Sequence, residues 1–303
     1  MLFDPKQDEI IVEEFHVERQ KVGLRRDLSQ IRDTISFEFR RNLNRFIVIL
    51  LVYLSFFILG ILILESSESL GIPIPADSAE YIKGYLDAQF GFLLIISGAA
   101  FGGSIIAEDF SKQTSNLLFP KTSKVNLLIG RIISRYFLMV VCLLIYYLLI
   151  CGMTIIKYEE IPLTILNSFG WALFCSFALL TFVTMLSSFM RNTSMTIISG
   201  ILITLIVFEM VSMFLSMSGL LDKNDLPLLF ILTYYLKIIP ESLSFPEQRY
   251  NTISFQMIEG EPIEITTWLT PSEIGAFFGL FIHIGVLLFF ALLIYKRRQS
   301  KGE

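Results

Sequence analysis

The sequence predicts an all-α integral membrane protein with six transmembrane helices and both chain ends in the cytoplasm. Three observations carry this. Of the 303 residues, 54% are hydrophobic and 17% charged, with a mean hydropathy of +0.66, so the chain lacks the polar surface that a water-soluble globule of this size presents. Six apolar runs are long enough to serve as spans, since a helix needs about 20 such residues to cross a hydrocarbon core roughly 30 Å thick. They are 46–64, 88–107, 132–156, 169–190, 195–217 and 274–295. Finally, 19 of the 24 Lys and Arg fall before the first run, in alternate loops, or after the sixth, leaving Lys83, Lys157, Lys223, Lys237 and Arg249 on the other side. The positive-inside rule makes the richer side cytoplasmic, and the protein is expected in the cell membrane as a multi-pass component.

Residues 1–23 mix acidic and apolar positions without a clean period and read as a cytoplasmic tail. Over 24–45, Leu24, Leu28, Ile31, Ile35, Phe39 and Leu43 recur at steps of three and four, while Arg25, Arg26, Arg32, Arg40 and Arg41 fill other faces. This is an amphipathic interfacial helix. Its basic face suits the anionic inner leaflet; packing as a plain helix on a partner is the alternative. The first apolar run lies well inside the chain and no small-residue cleavage site follows it, so the first span is expected to be retained.

The six-span domain covers 46–295. In its second span Gly98 and Gly102, and Ala99 and Gly103, place small residues one turn apart, which lets helix backbones approach closely, either within the bundle or across a dimer. A cytoplasmic loop follows at 108–131. After the fifth span an external segment, 219–272, contains Leu226 to Leu236, apolar but about half a span long and flanked by Pro227, Pro240 and Pro246; it reads as re-entrant. Alternation at Ile253, Phe255 and Met257, and again at Ile263 and Ile265, about a turn cluster at 259–262, predicts a β-hairpin. Residues 296–303 form a basic cytoplasmic tail. Cys142, Cys151 and Cys175 lie inside spans and read as packing residues.

Motifs for chemistry are missing. There is no glycine-rich phosphate loop ending in Gly-Lys-Ser/Thr. The only histidines, His16 and His283, sit in different regions and cannot make a zinc pair. The nearest approach to a serine-hydrolase elbow, Gly102-Gly103-Ser104-Ile105-Ile106, lacks its final glycine, and no two aspartates lie within spans. No catalytic or metal-binding residue is assigned, and the chain is not expected to be an enzyme.

After the second span the chain reads Glu108-Asp109-Phe110-Ser111-Lys112-Gln113-Thr114-Ser115-Asn116-Leu117-Leu118-Phe119-Pro120-Lys121-Thr122-Ser123-Lys124, with Gly130-Arg131 before the third span. This order resembles the first cytoplasmic loop of the membrane subunits of ABC type-2 exporters, matched here by Glu108, Thr114, Leu117, Leu118, Pro120, Ser123, Lys124, Gly130 and Arg131. Gln113 stands where that family commonly has Gly. The resemblance covers most of the chain from Leu24 onward. It implies an ATPase-coupling loop containing Glu108, Asp109, Thr114, Leu117, Leu118, Pro120, Ser123 and Lys124, docked by a separate ABC ATP-binding protein. It also implies a second permease subunit, identical or related, with ATP and Mg bound by the partner only and no cofactor here. Membrane lipid is the other expected partner; nucleic acid is not. Read without the resemblance, Leu117 and Leu118 are either an apolar knob for a soluble partner or a cap on the bundle's inner end.

Two titratable groups lie at depth. Glu209, in the fifth span, and His283, in the sixth, are candidate translocation-pathway residues, because a carboxylate inside a span costs about 2.5–3.5 kcal/mol on insertion scales unless it is paired, protonated or wet. A structural role for Glu209 is the alternative. Two further readings of the whole chain stay open: a non-transporting membrane anchor or sensor that recruits a cytoplasmic partner, and an ion-coupled secondary transporter.

Overall fold

The amphipathic stretch and the first apolar run fold as two helices, α1 (Gly23–Arg41) and α2 (Leu43–Ser69), which meet at Asn42. The structure, a computed structural model, describes residues 23–69, 75, 77–111, 123–218, 221, 225–255 and 263–300. Residues 1–22 of the predicted tail at 1–23 therefore lie outside the described residues, as do 112–122 of the 108–131 loop and 256–262, which include the turn cluster at 259–262.

The second run becomes α3 (Ser78–Gly102), followed by a turn at 103–106 and a short α4 (Ala107–Ser111). α3 starts earlier than its apolar window because Glu80, Lys83 and Asp87 interrupt the hydropathy while Tyr81, Ile82, Tyr85 and Leu86 on the opposite side are buried. α5 (Lys124–Tyr158) likewise begins eight residues before the predicted 132, so the last part of the expected loop, 124–131, is helical. Asn126 and Arg131 end an apolar window without ending a helix. α6 (Ile165–Phe189) and α10 (Glu273–Ser300) close the count; α10 runs on through most of the predicted basic tail.

The fifth run is divided. α7 (Thr193–Leu202), capped by the Asn192 side chain accepting from Ser194 N at 3.0 Å, passes through a π turn (Ile203–Val207) into α8 (Phe208–Met217). Among the described residues, six helices are thus long and apolar enough to cross a membrane. The second span is the most enclosed, 78% buried over its most apolar stretch, and the fifth the least, at 11%. The core accordingly lies around α3 and α6.

Close backbone approach explains the small residues of α3. A Cβ on Gly102 would stand 2.9 Å from Val183 Cβ and 3.0 Å from the Leu180 carbonyl, and one on Gly98 3.1 Å from Leu179 Cβ. The stripe is used inside the bundle, Gly98 and Gly102 against α6 and Gly103 against Ile197 of the next span.

The 226–241 stretch forms two 3-10 turns (Leu226–Phe230 and Leu232–Lys237) and α9 (Ile238–Glu241). Leu232, Tyr235, Ile238 and Ile239 are buried in the main core. Ser168 Oγ donates to the Ile239 carbonyl at 2.8 Å and Lys83 pairs with Glu241 at 2.7 Å, so α6 and α3 hold the segment from two sides. β1 (Tyr250–Phe255) and β2 (Ile263–Trp268) pair antiparallel, Tyr250 opposite Trp268 and Phe255 opposite Ile263. Trp268 anchors the pair by donating Nε1–H to the Leu221 carbonyl at 2.9 Å. Cys142 and Cys175 are buried and all three cysteines are free.

Candidate functional site

Where α3 stops at Gly102, the turn at 103–106 leaves main-chain groups without helical partners in the middle of the bundle. Side chains from other spans satisfy them. Ser187 Oγ, on α6, accepts from Ile106 N at 3.0 Å and Ala107 N at 2.7 Å. From α5, Arg131 Nη1 donates to the Ile105 carbonyl at 2.8 Å, and Arg135 Nη1 to the Phe101 carbonyl at 3.1 Å and to Ser104 Oγ at 2.5 Å.

Both arginines are buried, Arg131 at 2% and Arg135 at 0% exposure, so each needs a counter-charge. Arg131 grips Asp109 bidentately, Nη1 to Oδ2 at 2.7 Å and Nη2 to Oδ1 at 2.8 Å, and its Nε lies 3.2 Å from Glu38 Oε1. Arg135 Nη2 stands 3.2 Å from Glu38 Oε2 and 3.6 Å from Glu108 Oε2. Arg41 bridges the same two carboxylates, 2.8 Å from Glu38 Oε1 and 2.9 Å from Glu108 Oε2. Tyr295, near the far end of α10, donates to Asp109 Oδ2 at 2.9 Å, and Asn42 Nδ2 donates to Glu38 Oε2 at 3.0 Å. Burial would raise the Glu38 carboxyl, but the guanidiniums of Arg135, Arg131 and Arg41 outweigh it and hold the group below its ordinary range.

The cluster joins α1, the break in the second span, α5 and α10 at one place. Polar groups and Phe39, whose ring lies 6.2 Å from that of Phe137, seat α1 there. A Cβ on Gly130 would stand 2.8 Å from Thr34 Cβ and 3.1 Å from the Ile31 carbonyl, so the helix backbones approach as only glycine permits. Asn126 Nδ2 donates to Asp27 Oδ1 at 2.7 Å and to Gln30 Oε1 at 3.1 Å. The Gly130-Arg131 pair quoted from the sequence thus has a physical role: one residue admits α1 and the next holds the break.

Glu108 and Asp109 of the expected coupling loop are in this cluster. Ser123 precedes α5, its amide donating to Gln30 Oε1 at 3.4 Å, and Lys124 opens that helix. Thr114, Leu117, Leu118 and Pro120 lie outside the described residues. Arg135 does not snorkel to the surface, as a cation near the inner end of a span is expected to do; Glu38 and Glu108 keep it inside. Glu209 follows the π turn on an exposed face of α8. His283 is half-buried, its ring 5.6 Å from that of Tyr235 and its Nδ1 2.8 Å from the Gly279 carbonyl. Among the described residues, no hydrogen bond or ion pair joins Glu209 to His283, and no group of three metal-ligating side chains forms.

Glu38, Arg135 and Tyr295 are site residues that sequence reasoning passes over. A usable signal was the pair Arg131 and Arg135, one turn apart in an otherwise apolar run, with a carboxylate (Glu38) on the preceding amphipathic helix. No protein-family model matches the chain, and no curated protein does.

Proposed function

We propose that the chain is the permease subunit of an ATP-driven exporter of the ABC type-2 kind, working as a pair of membrane subunits with a separate ATP-binding protein. The carrying observation is the buried ionic cluster. It begins at Glu108 and Asp109, the first residues of the loop on which the resemblance places the partner, and continues without interruption into α1, α5 and α10. A push delivered to that loop would move four elements together rather than bend one. Interiors and bonded clusters transmit small shifts because they resist continuous deformation.

Orientation in this reading follows the basic residues, with the cluster and both chain ends cytoplasmic and the 226–268 region outside. The thinly covered fifth span, carrying Glu209 on an open face, is where a second subunit and the pathway would lie, because a carboxylate left against lipid is costly. The ion-coupled alternative gains little support from His283, whose ring is engaged by Tyr235 and by its own helix.

The test is co-purification from membranes, with and without Leu117→Asp and Leu118→Asp together. An ATP-binding protein that accompanies the native chain and is lost from a variant that still inserts supports the reading. Absence of any ATPase from an intact native complex sinks it and favours the anchor reading.

A further inference from the structure

The cluster at the base of the bundle is unbalanced. Among the described residues it holds three carboxylates, Glu38, Glu108 and Asp109, against four guanidiniums, Arg41, Arg45, Arg131 and Arg135. The odd one is Arg45. Its Nη1 donates to Asn42 Oδ1 at 3.2 Å and to Ser104 Oγ, both neutral, and no carboxylate among the described residues stands within the 4.0 Å of an ion pair. A second shortage points the same way: Arg135 Nε, fully buried, has no acceptor among the described residues, so donors exceed acceptors as cations exceed anions. A half-buried guanidinium beside three others is unfavourable without a counter-anion.

Arg45 occupies the third position of α2, where the apolar stretch Leu43–Leu64 begins, with partly exposed Arg41 one turn below it. Above it on the same side, Val48 is 59% exposed, and Val52, which packs in part against the core, keeps part of its side chain open. A cation at the foot of an open apolar stripe is the complement of a phosphate on an acyl chain.

We propose that Arg45, flanked by Arg41, binds the phosphate of an anionic phospholipid, which supplies the missing negative charge of the cluster while its chain lies along Val48 and Val52. The site does not depend on the exporter reading, since it would serve an anchor equally well.

The experiment is thermal unfolding of the full chain in nanodiscs of phosphatidylglycerol against phosphatidylcholine, with inorganic phosphate added in a third arm. A ligand that binds only the folded state raises its midpoint. Phosphatidylglycerol is expected to raise it by about 2–4 °C, Arg45→Gln to remove most of that rise, and Arg45→Lys to keep part. Arg40→Gln, an exposed cation outside the cluster, is expected to leave it intact. No preference of the native chain for phosphatidylglycerol overturns the proposal, a result that needs no variant. An equal loss in Arg40→Gln overturns it in favour of general surface attraction. A rise reproduced by inorganic phosphate in phosphatidylcholine discs overturns the lipid in favour of a free anion. Should Arg45→Gln not assemble, the count of phosphatidylglycerol retained by the native chain and by Arg45→Lys in native mass spectrometry decides, an equal count telling against the site.

Discussion

Glu38 has one exposed oxygen environment in the unfolded chain and three guanidiniums in the folded one, and that difference makes stability depend on pH. Its native carboxyl titrates below its ordinary range, so the contribution is fully present above about pH 4.5 and is lost as the pH falls through the lower native value. The midpoint of thermal unfolding is therefore expected to fall on acidification below about pH 4.5, and to fall less in Glu38→Gln; matching slopes in the two chains would count against this role. Removing one partner is harsher than removing the pair. Arg135→Met leaves Glu38 buried without its deepest neighbour, and about 3–5 kcal/mol of stability is expected to go, measured by denaturant unfolding in detergent. Arg135→Met combined with Glu38→Leu is expected to recover a good part of that loss, which a merely additive pair would not do. These residues were hard to see in the sequence for a definite reason. Arg131 and Arg135 counted there as markers of the cytoplasmic side, a use that treats every cation alike, whereas Glu38 meets Arg135 from 97 residues away in the chain and Tyr295 meets Asp109 from 186 residues away.

At the scale of elements, the spans were legible because hydropathy over about 20 residues is a one-dimensional property. Their ends were not, because charged residues such as Lys83 and Arg131 sit within continuous helices and find partners elsewhere in the fold. α1 was readable as amphipathic, yet polar residues, Asp27, Gln30 and Glu38, join the apolar Phe39, whose ring lies 6.2 Å from that of Phe137, in seating it on α5. Gly130 is the point to press. Gly130→Ala places a methyl group 2.8 Å from Thr34 Cβ and 3.1 Å from the Ile31 carbonyl oxygen, so α1 must shift. Overpacking of this kind costs about 1–3 kcal/mol. Hydrogen exchange in Gly23–Arg41 is expected to speed up in that variant more than in α6, and uniform protection would argue that α1 is held by other contacts.

For the molecule as a whole, burial is distributed unevenly, and on the proposed reading the least covered span is where a second subunit would sit. Met210, Met213 and Phe214 are 66%, 66% and 71% exposed along α8, beside Glu209. If two copies meet there, a single cysteine at Met213 in a chain lacking Cys142, Cys151 and Cys175 is expected to cross-link between copies in native membranes, while one at Phe289 of α10 is not. Glu209→Gln is expected to preserve assembly and lower transport by a partner-driven complex; unchanged transport would leave Glu209 a structural group. The open face of α8 was not legible in the sequence, because exposure along a span is settled only after the bundle closes.

The π turn at Ile203–Val207 has a consequence for register. Thr196, Gly200, Thr204 and Phe208 all turn inward, Gly200 against Val183 and Phe208 against Phe182. Steps of four overshoot a 3.6-residue turn by about 40° each, so over three steps a plain helix would carry Phe208 some 120° off that line. The wider turn absorbs roughly one residue of the excess, acting as a vernier between two scales of slightly different pitch. Excising Thr204 would remove that extra residue and let the turn close to a plain α-helix, the eleven steps then left between Thr196 and Phe208 lying within about 20° of three whole turns, so Phe208 and Glu209 would keep their bearing.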